Sequence, residues 1–291
     1  MSLDPIARIR RFHRAVTTES GVLDSSFLGR GRPLGAARVL NAIGQGIGEV
    51  GALRDYLGLD SGLASRLLRG LEGEGLIETV PSKDDARRRI ARLTEAGRAE
   101  FDAYEALSND QARQVLEAHP RPDVLLAAMD LVATALGRDR VEIVEADPES
   151  PEARHCLTEY FNELKRRLGL AFDLEEVLSD GAEAMRPPEG GFLIAMSDGQ
   201  PIGCAGLKAQ TAEWSEVKRV WVSPAARGLG LARRLMDEVE ARAKAQAIPV
   251  LRLDTNGGLP EAVALYQRLG WQPVERYNDN PDATHFFEKA L

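Results

Sequence analysis

Cysteine is scarce in this sequence, which has only Cys156 and Cys204 among its 291 residues. Two thiols can form neither a disulfide framework nor a zinc cluster, and so low a count is typical of a reducing compartment. Both side chains are expected to be small apolar groups packed in a core. The sequence therefore predicts a cytoplasmic protein without a metal site.

Long hydrophobic runs are also lacking. The longest one, residues 124–136, is interrupted by Asp130 and is too short to span a bilayer. Four arginines lie within the first fourteen residues, but no apolar segment follows them, so a signal peptide is not predicted. We expect no membrane partner.

An excess of positive charge is absent as well, since the formal net charge is −8. Residues 1–137 carry about −1 of this charge and the remainder about −7. A uniformly basic nucleic-acid binder is thereby excluded, so any contact with DNA must come from a local patch. The length allows two domains, each with its own core. We place them at residues 1–137 and 138–291, joined near Gly137-Arg-Asp-Arg140.

The first half has the pattern of a helix-turn-helix followed by a β-hairpin. Leu63, Leu67, Leu68 and Leu71 form an apolar stripe after a turn at residues 58–61, and strands are expected at 76–80 and 90–93. The hairpin tip and its second strand place Arg87, Arg88, Arg89 and Arg92 within six residues. Further helices are predicted at residues 3–18, 38–43, 49–57, 94–118 and 123–136.

Several short motifs in this half resemble the MarR family of winged-helix regulators. They are Leu57-Gly-Leu-Asp60, Ser65-Arg66-Leu67, Leu71-Glu72, Gly75-Leu76-Ile77, Asp85-Ala-Arg87 and Leu93-Thr-Glu-Ala-Gly97. The resemblance implies a homodimer that places residues 61–73 in the major groove of a palindromic double-stranded operator and the wing arginines in the minor groove. The residues expected to contact DNA are Ser61, Ser65, Arg66, Arg69, Arg87, Arg88 and Arg89.

Glycines set this segment apart from the family pattern. Gly62 stands where the family usually has Ser or Thr, and Gly70, Gly73 and Gly75 weaken the recognition helix by up to about 1 kcal/mol each wherever they lie inside it. The expectation is a modest affinity for the operator.

The second half alternates helices and strands and predicts an α/β architecture. The expected order is β-α-α-β-β-β-α-β-α-β-β, with an Asp198-Gly199 hairpin and a strand over residues 214–222. The other helices are predicted at 151–168, 174–178, 231–245 and 260–269, and the other strands at 141–144, 191–196, 202–207, 248–254, 271–277 and 284–289.

A glycine-rich loop joins the strand at 214–222 to the next helix and has the features of an anion site. Gly228 and Gly230 allow close backbone approach, and the first helical turn offers unpaired N–H groups. A P-loop is excluded because Gly-Lys-Ser/Thr is absent. A dinucleotide fingerprint is disfavoured because Arg233 stands where it requires a third small residue.

The loop Arg227-Gly-Leu-Gly230-Leu-Ala232 resembles the coenzyme A loop of the GNAT family of N-acyltransferases. Its flanks, residues 216–222, 253–256 and 262–271, are similar to that family too. The resemblance implies a GNAT fold over residues 141–291 and acetyl-CoA as co-substrate. The residues expected to bind it are Val220, Trp221, Val222, Arg227, Gly228, Leu229, Gly230, Leu231, Ala232, Arg233 and Asn256.

The same resemblance implies two catalytic side chains. Glu216 matches the strand glutamate that acts as general base, and Tyr266 matches the tyrosine that protonates the departing thiolate. A backbone N–H at or next to Val222 would stabilise the oxyanion. Each residue also has a structural alternative: Glu216 as a paired surface carboxylate, Tyr266 as core packing and Asn256 as a loop cap. His285 is expected to be structural.

Our leading hypothesis is a regulator fused to an acetyltransferase that acetylates a small amine or amino acid. A second hypothesis is a transcription factor whose GNAT-like half senses an acyl-CoA or an amine without turnover. A third is an acetyltransferase for protein lysines. The acid-rich second half would suit a cationic acceptor through electrostatic steering.

Overall fold

The computed structural model describes residues 4–82, 85, 87–171, 173, 175, 177 and 181–291. The chain divides into two compact units, Met1–Pro122 and Asp123–Leu291. Among the described residues, no helix is long and apolar enough to cross a membrane. The same residues contain no group of three or more His, Cys, Asp or Glu that could hold a metal ion.

The first unit is mainly helical. Its helices are α1 (Pro5–Glu19), α2 (Leu34–Gly44), α3 (Val50–Leu57), α4 (Ser61–Gly73) and α5 (Glu95–Ala118), and its strands are β1 (Ile77–Pro81) and β2 (Arg89–Leu93). The two strands pair antiparallel, so the predicted hairpin is present. The core forms where α2, α3, α4 and α5 meet β1 and β2. The predicted short helix at 38–43 begins four residues earlier, directly after Pro33.

Local signals explain the turn between α3 and α4. Gly58 ends α3 in the left-handed region with φ of 64°, a conformation that glycine adopts without strain. Asp60 then caps α4 by accepting a hydrogen bond from the Leu63 N–H at 2.9 Å. Gly70 and Gly73 lie inside α4, whereas Gly75 follows it with φ of 70° and serves the turn into β1.

The second unit is a seven-stranded sheet with helices on both faces. The strands are β3 (Glu142–Glu145), β4 (Gly191–Ser197), β5 (Gln200–Ala209), β6 (Trp214–Val222), β7 (Val250–Thr255), β8 (Gln272–Pro273) and β9 (His285–Ala290), and the helices are α6 (Pro122–Gly137), α7 (Pro151–Leu168), α8 (Leu231–Ala245) and α9 (Pro260–Arg268). The strand order is β3-β4-β5-β6-β7-β9-β8. The helices α8 and α9 pack on one face, and α7 packs on the other.

The structure differs from the sequence prediction at residues 271–277. The strand expected at 271–277 is wrong for most of its length, because pairing with β9 covers only Gln272 and Pro273. The next residues form a loop whose polar side chains bond to carboxylates on β6 and β7. The short helix predicted at 174–178 falls largely outside the described residues.

Candidate functional site

The sheet opens between β6 and β7. These strands pair in parallel over only three residues, from Trp214 opposite Val250 to Glu216 opposite Arg252. Farther along β6, Arg219 takes a φ of 57°, and the register with β5 shifts there. An extra residue of this kind bends a strand and increases its twist. The bulge thus separates β6 from β7 and leaves an opening, which we call the sheet gap.

The backbone of β6 presents donors to the sheet gap. The Ser223 N–H donates to the Ile202 carbonyl on β5 at 2.9 Å. Because N–H directions alternate along a strand, the N–H of Val222 points away from β5. The N–H of Trp221 faces β5, and its indole donates to Glu163 at 3.1 Å, so its side chain lies in the core.

The glycine loop at the end of β6 is a cluster of free donors. No N–H group from Gly228 to Arg233 makes a hydrogen bond within the described residues. Gly228 and Gly230 have φ of 78° and 81°, which favours glycine, and a Cβ added at either position would meet no atom within 4 Å. Gly230 caps α8 without any side-chain bond. Six consecutive amides at a helix N-terminus, open on one side, suit a phosphate group.

Arg227 anchors the beginning of this loop. Its Nε donates to the Val222 carbonyl at 3.1 Å, and its Nη2 donates to Glu163 Oε2 at 2.5 Å. Glu163, on α7, also accepts from Arg167 at 3.2 Å. Burial raises the pKa of Glu163, but Arg227, Arg167 and Trp221 outweigh that effect, so its pKa lies below the usual value.

Tyr266, on α9, is buried with 6% of its surface exposed. Its ring packs against Trp271 and Phe287, with centroid distances of 6.2 and 5.9 Å. Burial raises the pKa of the phenol, and the neighbouring Tyr160 and Asp254 raise it further, so the hydroxyl stays protonated at neutral pH. No hydrogen bond to this hydroxyl occurs among the described residues.

Glu216 lies on β6 with 3% of its surface exposed, held by groups from distant parts of the chain. Its Oε1 accepts from the Tyr277 hydroxyl at 2.9 Å and from Asn278 at 3.1 Å, and Lys218 Nζ lies 3.1 Å away. Among the residues that the structure describes, Oε2 accepts from Gln210 alone, at 3.1 Å, and Gln210 is exposed. A carboxylate oxygen has two lone pairs, so Oε1 is saturated, while Oε2 keeps one lone pair that no described donor occupies.

Asp254, at the end of β7, completes this cluster. Lys218 Nζ lies 3.0 Å from each of its oxygens, and Asn278 and Asn280 donate to Oδ2 at 2.7 and 3.2 Å. Burial raises the pKa of Asp254, but the charge of Lys218 and the three donated bonds lower it more, so the carboxyl is ionised at neutral pH. Lys218 therefore bridges two carboxylates on one face of the sheet.

The remaining predicted site residues have varied surroundings. Leu231 is buried and begins α8, Ala232 is half-buried, and Arg233 is exposed with Asp237 at 3.9 Å. The amide of Asn256 bonds to the Asp282 carbonyl and the Gly258 N–H, which is the geometry of a loop cap. His285 is exposed and stacks on Phe287.

Sequence reasoning missed Glu163 and the partners of Glu216. Glu163 could have been noticed, because it lies seven residues after Cys156 on the apolar side of α7, where a charge requires a partner. Tyr277 and Asn278 carry no such signal, since they lie about sixty residues from Glu216 and Tyr277 was expected to end a strand.

The predicted DNA-contacting residues of the first unit lie on its surface. Ser61, Ser65, Arg66 and Arg69 are exposed on α4, while the opposite side of the helix buries Ala64 and Leu68. The wing residues Arg87, Arg88 and Arg89 are exposed too. The helix and the hairpin thus present a cationic surface to solvent.

An exposed apolar face lies on α1. Ile6, Ile9, Phe12 and Val16 are 62, 52, 41 and 46% exposed, and their spacing places them on one side of the helix. A set of exposed apolar residues of this kind is typical of an association surface.

Comparison with known proteins identifies both units. Residues 30–88 match the model of the MarR family, and residues 154–271 match that of the acetyltransferase (GNAT) family. An IAA acetyltransferase from Azospirillum brasilense is 31% identical over 147 residues, covering 49% of this chain and 95% of that protein. An uncharacterized N-acetyltransferase from Schizosaccharomyces pombe is 28% identical over 146 residues, covering 48% of this chain and 87% of that protein.

Solved structures give similar matches. The crystal structure of a GNAT family acetyltransferase from Elizabethkingia anophelis with acetyl-CoA bound is 17% identical, covers 52% of this chain and 99% of its own, and has a TM-score of 0.40. The family models and the Azospirillum relative carry the assignment. The chain belongs to the acetyltransferase (GNAT) family, and its N-terminal half contains a winged helix-turn-helix of the MarR family.

Proposed function

We propose that this protein transfers an acetyl group from acetyl-CoA to the amine of a small molecule or amino acid. The observation that carries the proposal is the glycine loop at the end of β6, where six consecutive N–H groups make no hydrogen bond within the described part of the chain. The amides from Gly228 to Arg233 would hold the pyrophosphate of the co-substrate. Acetyl-CoA supplies the acetyl group as a thioester, which an amine can attack without an activating metal.

In the proposed reaction, one side chain removes a proton from the acceptor and another donates a proton to the leaving group. Glu216 Oε2 takes the proton of the acceptor ammonium through a water molecule, which frees the amine for attack. The N–H of Val222 donates to the thioester oxygen as it gains negative charge. Tyr266 gives its proton to the sulfur as the carbon–sulfur bond breaks. After the attack, the nitrogen of the tetrahedral intermediate releases its second proton to solvent as the amide forms. The products are the N-acetylated amine and coenzyme A; Glu216 returns its proton to solvent, and solvent reprotonates Tyr266.

The test is acetyl-CoA-dependent release of free thiol over a panel of cationic, neutral and amino-acid amines. Turnover that is lost in Tyr266→Phe supports the proposal. If no amine is acetylated while coenzyme A binds tightly, the protein is a sensor without turnover, and the proposal is wrong. If the protein acetylates lysines of a partner protein and turns over no small amine, its substrates are protein lysines and the proposed substrate class is wrong.

For the first unit, we propose binding to a palindromic operator as a homodimer that associates through the apolar face of α1. Exposed arginines on α4 and on the wing support DNA contact. The measurement is salt-dependent binding to duplex DNA by the full chain, comparing the wing variant R87A/R88A/R89A with R113A, an exposed arginine on α5 outside this surface. Each lost phosphate contact lowers the log–log salt slope by roughly 0.9; equal slopes would contradict the role of the wing.

A further inference from the structure

The glycine loop has little support of its own. Among the described residues, none of the N–H groups of Gly228, Leu229 and Gly230 makes a hydrogen bond. A Cβ added at either glycine would meet no atom within 4 Å. A loop with such backbone freedom loses entropy when it is ordered around a ligand. Its geometry must therefore be fixed where it begins and ends.

The end of the loop is fixed by burial, since Leu231 is 4% exposed in the core under α8. The beginning is fixed by charge, because the Arg227 guanidinium is bound at two points, by the Val222 carbonyl and by Glu163. Both partners lie outside the loop, one on β6 and one on α7. Arg227 is consequently the side chain that ties the loop to the rigid part of the unit.

Glu163 also connects this anchor to the helix that carries Tyr266. Arg167 reaches Glu163 at 3.2 Å, and its Nη2 donates to Glu261 Oε2 on α9 at 3.0 Å. The same guanidinium donates to the Gly258 carbonyl ahead of α9 at 3.2 Å. One buried carboxylate is thus shared between the donor loop and the contacts that position α9.

We propose that Glu163 is a positioning residue that clamps Arg227 and thereby preorganises the loop amides for the pyrophosphate of coenzyme A. This inference rests on the proposed binding of acetyl-CoA. In this role, the guanidinium of Arg227 binds protein groups and not the ligand, and the backbone N–H groups of the loop supply the phosphate contacts. Preorganisation raises affinity because less ordering remains to be done on binding.

The experiment is calorimetric titration of the full-length protein with coenzyme A, which needs neither an acceptor nor turnover. The variants are Glu163→Gln, Arg227→Ala, their double variant and Glu240→Gln. Glu240 is a matched control, because it is a buried carboxylate paired with Lys289 at 2.6 Å and lies about 14 Å along α8 from the loop. The Arg227 side chain is 41% exposed, so its truncation leaves the core intact.

The expected result is that Glu163→Gln and Arg227→Ala each weaken coenzyme A binding by about tenfold, with the double variant no weaker than either single one. In the acetyltransferase assay, KM for acetyl-CoA rises while KM for the amine changes little, a split that a general loss of stability would not cause. Glu240→Gln should bind like the wild type.

Other results would overturn the inference. If Glu163→Gln binds normally or more tightly while Arg227→Ala binds weakly, Arg227 contacts the phosphates itself and Glu163 is not its clamp. Normal binding by both variants would also refute the clamp. A wild-type protein that binds no coenzyme A would refute the proposed function, and this inference with it.

Discussion

Replacement of Tyr266 by phenylalanine separates catalysis from packing. The ring makes its contacts with Trp271 and Phe287 through carbon atoms, and the variant retains them. The hydroxyl makes no hydrogen bond within the described residues, so its removal leaves no partner unsatisfied. We expect the free energy of unfolding to change by less than about 0.5 kcal/mol, the range of substitutions that disturb no packing or hydrogen bond.

Catalysis should respond very differently. A positioned general acid contributes about 100-fold to 10,000-fold to a rate, so kcat should fall by about 100-fold or more. Because the hydroxyl acts only as the thiolate departs, kcat and kcat/KM should fall together. The assay is thiol release with the best amine of the panel.

Stability is followed in parallel by tryptophan fluorescence, which reports on the second unit because all three tryptophans, Trp214, Trp221 and Trp271, lie there. Tyr104→Phe removes a buried phenol from the first unit and is the control for the rate, so its kcat should equal that of the wild type. If kcat of Tyr266→Phe stays within threefold of the wild type, Tyr266 is a packing residue and its proposed role is wrong. A large loss of stability would equally refute the reasoning.

Three further predictions follow from other contacts. The two arginines bonded to Glu100 lower its pKa below the usual value near 4.5. The stability that this carboxylate contributes is therefore present above about pH 4.5 and is lost as pH falls through the folded-state pKa. Denaturant titrations should show that the wild type loses its stability advantage over Glu100→Gln in acid; a difference that stays constant with pH would contradict this. Gly70→Ala should stabilise α4 by about 1 kcal/mol, since the new methyl meets no atom within 4 Å. Unfolding followed by the helical circular dichroism signal measures this, and a lower free energy of unfolding than that of the wild type would contradict it. Tyr277→Phe removes a donor from Glu216 and should lower kcat/KM for the amine severalfold with KM for acetyl-CoA unchanged, whereas a selective rise in the latter would place Tyr277 on the donor side.

Local chemistry explains which elements could be predicted. The helix Pro151–Leu168 matches its predicted bounds because Ser150 caps it, Pro151 begins it and Gly169 ends it in the left-handed region. The strand Trp214–Val222 matches as well, since its β-branched and aromatic residues stop at Ser223-Pro224.

The features that could not be predicted from the sequence depend on contacts between residues that lie far apart in the chain. The bulge at Arg219 has no sequence signal, although it opens the sheet gap. A strand was expected as far as Tyr277 where the structure has the loop that holds Tyr277 and Asn278, and the polar side chains of this loop are explained only by the carboxylates on β6 and β7. Glu163 was overlooked because its partners lie 4, 58 and 64 residues away.

Amide chemical shifts test the central claim most directly, because they report on the loop N–H groups themselves. The protein would be labelled with 15N-glycine and titrated with coenzyme A, with Gly228 and Gly230 assigned by substitution. The account predicts that both amide signals shift as hydrogen bonds form to the pyrophosphate, in step with the calorimetric binding curve. Binding of coenzyme A that leaves both signals unmoved, or no binding at all, would contradict it.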